Sequence, residues 1–551
     1  MTLFADVVRA RANDNKVGLV FEDRSWTWRE VIAEACARAE ALAEIMPVPE
    51  GRQRHLGVLL ENVPDYVFWL LAGALNGTAV IGLNASRSAT ELAADIRNAD
   101  IDVIITEERL RHLVGDVSDA IGHPVLTIDG DGYAPWLAAH SGAGLPDATI
   151  AGTDIALLLF SSGTTGTPKA VIVGQERLGT LVTKVVDRIS LRRDSITYLC
   201  MPLFHGNAII MNLAPALVIG ATVTLARKFS ATRFADDIHR YGITYLNYVG
   251  RALSYVLNHP ADPRDADSTL ELAYGTEASE ADIRRFGERF GCVVVEGYGL
   301  TEGVFRIGRT PDTPPGSLGR PQEGTDVRVM DENTGEECPR AEFTADGRLA
   351  NPEAVGQMVA VGLAHLFEGY YHNPEAVADR VRGADFWSGD LGYRDADGWF
   401  YFAGRSSDWI RVDGENFASA QVERVLQRAP GVLSAPTFAI ADPRTGDLVM
   451  CAVEMETGAT FDVDAFAAFL GEQPDMGAKW WPAFIRVADK LPLTGSGKMD
   501  KAPLRRAAWQ SDDDVYMRIG RTPEYRLMSD EDKATLVDEF LAHGRAALLP
   551  A

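Results

Sequence analysis

The stretch Phe160-Ser161-Ser162-Gly163-Thr164-Thr165-Gly166-Thr167-Pro168-Lys169-Ala170 follows directly on the apolar run Ile155-Ala156-Leu157-Leu158-Leu159, and its reading decides the fold. Serines, threonines and glycines crowded together offer hydroxyls and unobstructed backbone N–H groups that can wrap polyphosphate oxygens, and Lys169 adds a positive charge. A Walker loop is excluded. That loop needs Gly-Lys-Ser/Thr opening a helix, whereas Pro168-Lys169 leads into the strand-like Ala170-Val171-Ile172-Val173.

Outward from this loop, roughly the first 310 residues alternate helical and strand patterns, which is the signature of α/β layering with crossover connections. A helix is expected from Ser25 to Ile45, and buried strands at Ile101 to Thr106, Ile155 to Phe160, Thr222 to Leu225, Thr244 to Val249 and Cys292 to Glu296. Between about 316 and 404 short strands separated by Gly335, Pro339, Gly347, Gly356 and Gly398 predict a smaller β-rich subdomain. An α+β pattern begins at Arg405: helix 417–428, strands 436–441 and 448–455, helix 462–470 and the loop Pro492 to Lys501. A last helix is N-capped by Ser529, with Asp530, Glu531 and Asp532 in its first turn and Leu536, Phe540 and Leu541 on one face. The expected class is α/β, with a large N-terminal domain over 1–404 and a small α+β domain over 405–551.

Composition excludes several function classes. A chain of 551 residues with 46% hydrophobic and 24% charged residues buries substantial cores. Its net charge of −25 repels nucleic acid and anionic headgroups, so no nucleic-acid partner is expected. Cys36, Cys200, Cys292, Cys338 and Cys451 are scattered and odd in number, which argues against a disulfide framework or a zinc site and for a reducing cytoplasm. The opening MTLFADVVRARANDNK lacks the pattern of a secretory signal. Residues 66–83 and 206–226 approach membrane-spanning length, but Asn76-Gly77 interrupts one and Asn212, Pro215 and Gly220 the other, so each reads as a helix followed by a strand.

Further stations follow the loop in order: MPLFH (201–205), Gly275-Thr276-Glu277, EGYGLTE (296–302), WSGDLG (387–392), GRSSDWIRVDGEN (404–416) and LPLTGSGKMDK (491–501). Together they resemble the adenylate-forming superfamily of acyl-CoA synthetases, peptide-synthetase adenylation domains and luciferases, and the resemblance spans nearly the whole chain. It implies ATP, Mg²⁺ and coenzyme A as cofactors or co-substrates. ATP would meet Ser161, Ser162, Gly163, Thr164, Thr165, Gly166, Lys169 and the Gly275-Thr276-Glu277 turn, with Tyr298 over the adenine. Asp390 would hold the ribose hydroxyls and Arg405 ribose or phosphate. The catalytic set is Thr301 on the α-phosphate, Glu302 as Mg²⁺ anchor, His205, and Lys498, whose ammonium neutralises charge on the attacking carboxylate and α-phosphate. Gly414, Glu415 and Asn416 would contact CoA, and Ser407 would be the hinge of a mobile C-terminal domain.

MPLFH and KFSATRFADDIHRYGITYLNYVGRALSYVLNHP look most like the fatty-acid transport protein and very-long-chain acyl-CoA synthetase branch, with its bacterial steroid and bile-acid CoA ligases. Asp413 replaces a basic residue of that branch, Ser407 agrees with its small hinge residue, and Ala170 stands where the superfamily more often has Gly. The implied function is an acid:CoA ligase acting on a hydrophobic acid, fatty or steroidal, met in solution or by transient membrane contact. Open alternatives are transfer of the acyl group to an amine or carrier protein, and a catalytically inactive nucleotide- or lipid-binding module. A homodimer is compatible with the sequence. The apolar Asn207–Val218 reads equally as a lipid-tail pocket or as core.

Overall fold

The computed structural model describes residues 2–115, 124–161, 168–310, 312–344, 349–405, 409–412, 415–444, 446–495, 497–520 and 522–550, with the backbone alone at 405, 409, 411, 415, 416, 418 and 478. Packing groups the chain into two compact units. One comprises Met1–Val304, His365–Asp379 and Gly495–Gly497; the other comprises Phe305–Ala364, Arg380–Thr494 and Lys498–Ala551.

The first unit holds two mostly parallel sheets. In one, the order is Val125–Thr127, Val103–Thr106, His55–Leu59, Ala79–Gly82, Ile155–Ser161 and Lys169–Gly174, with only the last strand antiparallel to its neighbour. His55–Leu59, Ala79–Gly82 and Val103–Thr106 are buried at every position, as strands covered on both faces must be. Helices Pro64–Asn76 and Ala89–Asn98 make the crossovers. Gly73 lets the first of them seat closely: a Cβ there would lie 2.4 Å from Val80. The other sheet runs Val293–Tyr298, Leu272–Thr276, Tyr245–Val249, Ile196–Leu199, Thr222–Leu225, Val17–Phe21 and Arg24–Thr27, parallel except for the final pair.

The alternation read from the sequence is therefore present, with local corrections. The strand expected to be buried at Cys292 to Glu296 runs Val293–Tyr298 and has no buried position. The helix expected at 417–428 is Ser419–Leu426, because Phe417 belongs to the strand Glu415–Ala418. Ser25 lies in the strand Arg24–Thr27, and the helix begins only at Trp28 because Thr27 and Glu30 close a reciprocal capping box there. At the C-terminus, Ser529 does cap Asp530–Ala542, and Phe540 is buried, but Leu541 is 56% exposed and does not join that face. Both long apolar stretches break as expected, with Gly77 and Gly220 in the left-handed region ending their helices. Residues Ile209–Leu213 form a π-helical turn. Among the described residues no helix is long and apolar enough to cross a membrane.

In the second unit an antiparallel ribbon runs Val327–Met330, Gly356–Ala360, Asp385–Arg394, Phe400–Arg405, Ser317–Pro321 and Ile307–Gly308. A hairpin, Trp409–Val412 with Glu415–Ala418, precedes a six-stranded sheet built on Asp447–Met455. That sheet carries a core on each face, one around Ile485, Val422 and Leu470, the other around Phe438, Leu504 and Trp509.

One buried acid in the first unit gives a pH signature. Asp95, on Ala89–Asn98, is 2% exposed and meets Arg87 at 2.8 Å, and burial pushes its carboxyl up to about 6. Its contribution to stability is complete below the unfolded value of about 4 and is lost as pH rises through the folded value. The stability of wild type relative to Asp95→Asn should therefore fall between pH 4 and 7, measured by urea unfolding. A difference independent of pH would contradict this assignment.

Candidate active site

Parallel sheets leave crevices at the carboxyl ends of their strands, and the predicted residues of the first unit collect there. Ile155–Ser161 and Lys169–Gly174 pair antiparallel with Ser161 opposite Lys169, which puts Lys169 at the carboxyl end of the first strand. The Ser161 hydroxyl donates to the Lys169 carbonyl at 3.4 Å. Ser162, Gly163, Thr164, Thr165 and Gly166 lie outside the described residues.

Lys169 is buried, and its ammonium stands 5.4 Å from the ring centroid of Tyr370. The segment carrying Tyr370 lies against the strand: the Ile172 N–H donates to the Gly369 carbonyl at 3.1 Å, and the Tyr371 N–H to that of Ala170 at 2.8 Å. From this position the Tyr370 phenol donates to Oε1 of Glu302 at 2.5 Å. Arg177 donates to the Glu302 carbonyl and pairs with Glu368 at 3.3 Å. One aromatic ring thus carries both a buried cation and a buried carboxylate. Glu302 is 7% exposed, and Oε1 is its one carboxylate oxygen with a partner among the described residues. A desolvated carboxylate with its second oxygen still available suits a hard cation that takes one or two protein oxygens and keeps its waters or phosphate ligands. Among the described residues no group of three or more His, Cys, Asp or Glu forms a closed metal cage.

In the second sheet of this unit, Gly275 and Thr276 end one strand and Tyr298 ends the next. Glu277 sits at φ 72°, a conformation uncommon outside glycine, so the turn reverses sharply. A Cβ at Gly275 would lie 2.4 Å from the Tyr248 ring, which explains why this position has no side chain. Glu296 braces the turn by accepting from the Tyr248 hydroxyl at 3.1 Å and from the Ala278 N–H at 2.6 Å. Tyr298 and Thr301 are half-buried. His205 is half-buried, and its Nδ1 accepts from the Asn207 N–H at 3.2 Å.

In the second unit, Asp390 is buried and stands opposite Arg405 in the register of Asp385–Arg394 and Phe400–Arg405. The Ser388 hydroxyl accepts from the Asp390 N–H at 3.0 Å. Lys498 is held in a closed turn: its N–H donates to the Thr494 hydroxyl at 3.1 Å and its carbonyl accepts from the Thr494 N–H at 2.7 Å, while Gly497 takes φ 84°. Glu415 and Asn416 pair across the hairpin with Val412 and Arg411. Ser407, Asp413 and Gly414 lie outside the described residues.

Sequence reading assigned no role to Tyr370, Arg177, Tyr248 or Glu296. Glu296 stood inside a quoted motif, but Tyr370 is 68 residues from Glu302 and carries no local signal for the contact. The model of the family described as AMP-binding enzyme matches residues 7–371. The chain is 44% identical to a steroid-22-oyl-CoA synthetase of Rhodococcus jostii over 552 residues, covering 100% of this chain and 99% of that protein. It is 42% identical to the medium/long-chain-fatty-acid–CoA ligase FadD17 of Mycobacterium tuberculosis, over 88% of this chain and 93% of the relative. Among solved structures, ATP-bound MatB from Rhodopseudomonas palustris superposes with a TM-score of 0.79 at 24% identity, over 92% of this chain and 98% of that one, and shares the fold. A family model that spans residues 7–371 and a relative 44% identical over the full length lead to one conclusion: this chain belongs to the AMP-binding enzyme family.

Proposed function

We propose that the protein is an ATP-dependent acid:CoA ligase that activates a hydrophobic carboxylic acid. The observation that supports the reading is the meeting of Lys169 and Glu302 on the ring of Tyr370: in this reading the ammonium serves phosphate oxygens and the carboxylate serves their metal. In the first half-reaction the acid's carboxylate attacks the α-phosphate of ATP, the bond to the β-phosphate breaks, and pyrophosphate leaves with an acyl adenylate remaining. In the second, the CoA thiol attacks the acyl carbon, AMP leaves, and the thiol proton passes to solvent.

Lys169 and the hydroxyls of the preceding loop bind the phosphates, Thr301 orients the α-phosphate, and Tyr298 covers the adenine. Asp390 and Arg405 take the ribose, and His205 lies at the acid's end of the site. Mg²⁺, held by Glu302 and the phosphates, would supply charge neutralisation for the departing pyrophosphate. Lys498 stabilises charge in the first half-reaction. In this reading residues 405–551 turn about Ser407 so that Gly414, Glu415 and Asn416 serve the second, and the enzyme works in the cytoplasm. The names of the two bacterial relatives support a steroidal or medium- to long-chain acid.

Three outcomes test this. AMP release should require both an acid and CoA, and long or steroidal acids should exceed acetate by orders of magnitude in kcat/KM, because each buried methylene contributes about 0.8 kcal/mol. AMP release supported by an amine or a carrier-bound thiol in place of CoA would move the protein to another branch. Glu302→Gln, nearly isosteric, should abolish most turnover and weaken the thermal shift that MgATP causes, leaving the shift by AMP in place; an unchanged MgATP shift would remove Glu302 from the metal. Lys498→Ala should slow acyl-adenylate formation by roughly a hundredfold or more yet spare thioester formation from synthetic acyl adenylate. Equal damage to both half-reactions would make Lys498 structural.

A further inference from the structure

A line of four polar side chains runs through the apolar interior of the first unit and ends beside His205. The Thr197 hydroxyl donates to Oδ1 of Asn212 at 2.7 Å. Nδ2 of Asn212 donates to the Tyr198 carbonyl at 3.0 Å and to Oδ1 of Asn247 at 2.7 Å. Nδ2 of Asn247 then donates to Oδ1 of Asn207 at 2.6 Å. Thr197, Asn212 and Asn247 are fully buried, and Asn207 is half-buried.

The direction of this line is set by one backbone atom. The Tyr198 carbonyl can only accept, so Asn212 must turn its amide nitrogen toward it and its oxygen toward Thr197. The second Asn212 N–H then demands the oxygen of Asn247, which turns the Asn247 nitrogen toward the oxygen of Asn207. Every amide in the line therefore has one orientation, and the line finishes on Nδ2 of Asn207, which takes no hydrogen-bond partner among the described residues. Successive bonds polarise one another, so the terminal N–H is a strengthened donor. The π-helical turn Ile209–Leu213 contains Asn212, and such a turn admits one more residue than an α-helical turn. Apolar side chains at these positions would avoid the desolvation that the line has to offset with its bonds.

The open end adjoins elements that carry residues of the candidate site. Asn247 stands opposite Tyr274, and Tyr248 opposite Gly275, on the adjacent strand that ends in the Gly275-Thr276-Glu277 turn. Asn207 begins the apolar stretch 207–218, and its backbone N–H fills Nδ1 of His205, which leaves the neutral ring's proton on Nε2.

We propose that the side-chain N–H of Asn207 is a specificity-determining donor to an oxygen of the acid substrate. The inference rests on the ligase reading and narrows its substrate class to acids whose carboxylate, or an oxygen farther along the skeleton, reaches this donor. Two variants separate recognition from structure. Asn207→Asp retains an oxygen for Asn247 but presents no outward donor; Asn207→Leu removes both without adding charge.

The full-length enzyme is assayed for AMP release with dodecanoate, a keto-steroid side-chain acid and its deoxy analogue, and acid binding is measured by calorimetry. Both variants should raise the KM and Kd for the acid by roughly tenfold or more, as loss of a hydrogen bond to a charged or buried acceptor does, with the KM for ATP unchanged. Loss shared by all three acids identifies the acceptor as the carboxylate; loss confined to the keto acid identifies a skeletal oxygen. Unchanged acid affinity in either variant overturns the proposal and leaves Asn207 as the terminus of a buried line. Wild-type enzyme that binds acids but releases no AMP would sink the ligase reading, while the calorimetric comparison would still decide the role of Asn207.

Discussion

The hydrogen bond from the Tyr370 phenol to the buried Glu302 carboxylate is the contact on which the site of the first unit depends. A carboxylate removed from water is costly unless hydrogen-bonded, and here its partner is itself fixed by backbone bonds to the strand that carries Lys169. The ring therefore does three things at once. It gives Glu302 a donor, offers its face to the Lys169 ammonium, and sits on a segment that backbone bonds tie to the strand Lys169–Gly174. Loss of that strip would free the carboxylate and the ammonium from a shared reference point.

Close backbone approach is the second constraint. Gly275 rests on the Tyr248 ring and Gly297 faces the Tyr274 hydroxyl, where a Cβ would lie 2.2 Å away. These contacts bring the ends of neighbouring parallel strands together, and Glu296 joins Tyr248 to the turn after Gly275. The turn after Gly275 and the polar line then share one strand. The strand Tyr245–Val249 contributes Tyr248 to the turn and Asn247 to the polar line leading to Asn207.

The second unit is organised differently, on antiparallel pairing. Asp390 and Arg405 lie 15 positions apart in the chain but face each other in register, so the strand pair alone sets their spacing. Lys498 owes its position to a tight turn closed by Thr494, with Gly497 in the left-handed region that other residues enter only at a cost.

By itself, the sequence determined the α/β class, the strand–loop–strand context of Lys169, the β-rich segment before 404 and the family, because these rest on local order: apolar runs, turn residues and motifs read along the chain. Thr222–Leu225 and the Ser529 cap were legible for the same reason. Tertiary structure alone decided the rest. Tyr370 meets Glu302 across 68 residues, Asn247 meets Asn207 across 40, and the Tyr198 carbonyl orients a whole line of amides. No periodicity encodes such pairings, since burial makes each unsatisfied donor or acceptor costly and only the folded packing determines which partner is within reach.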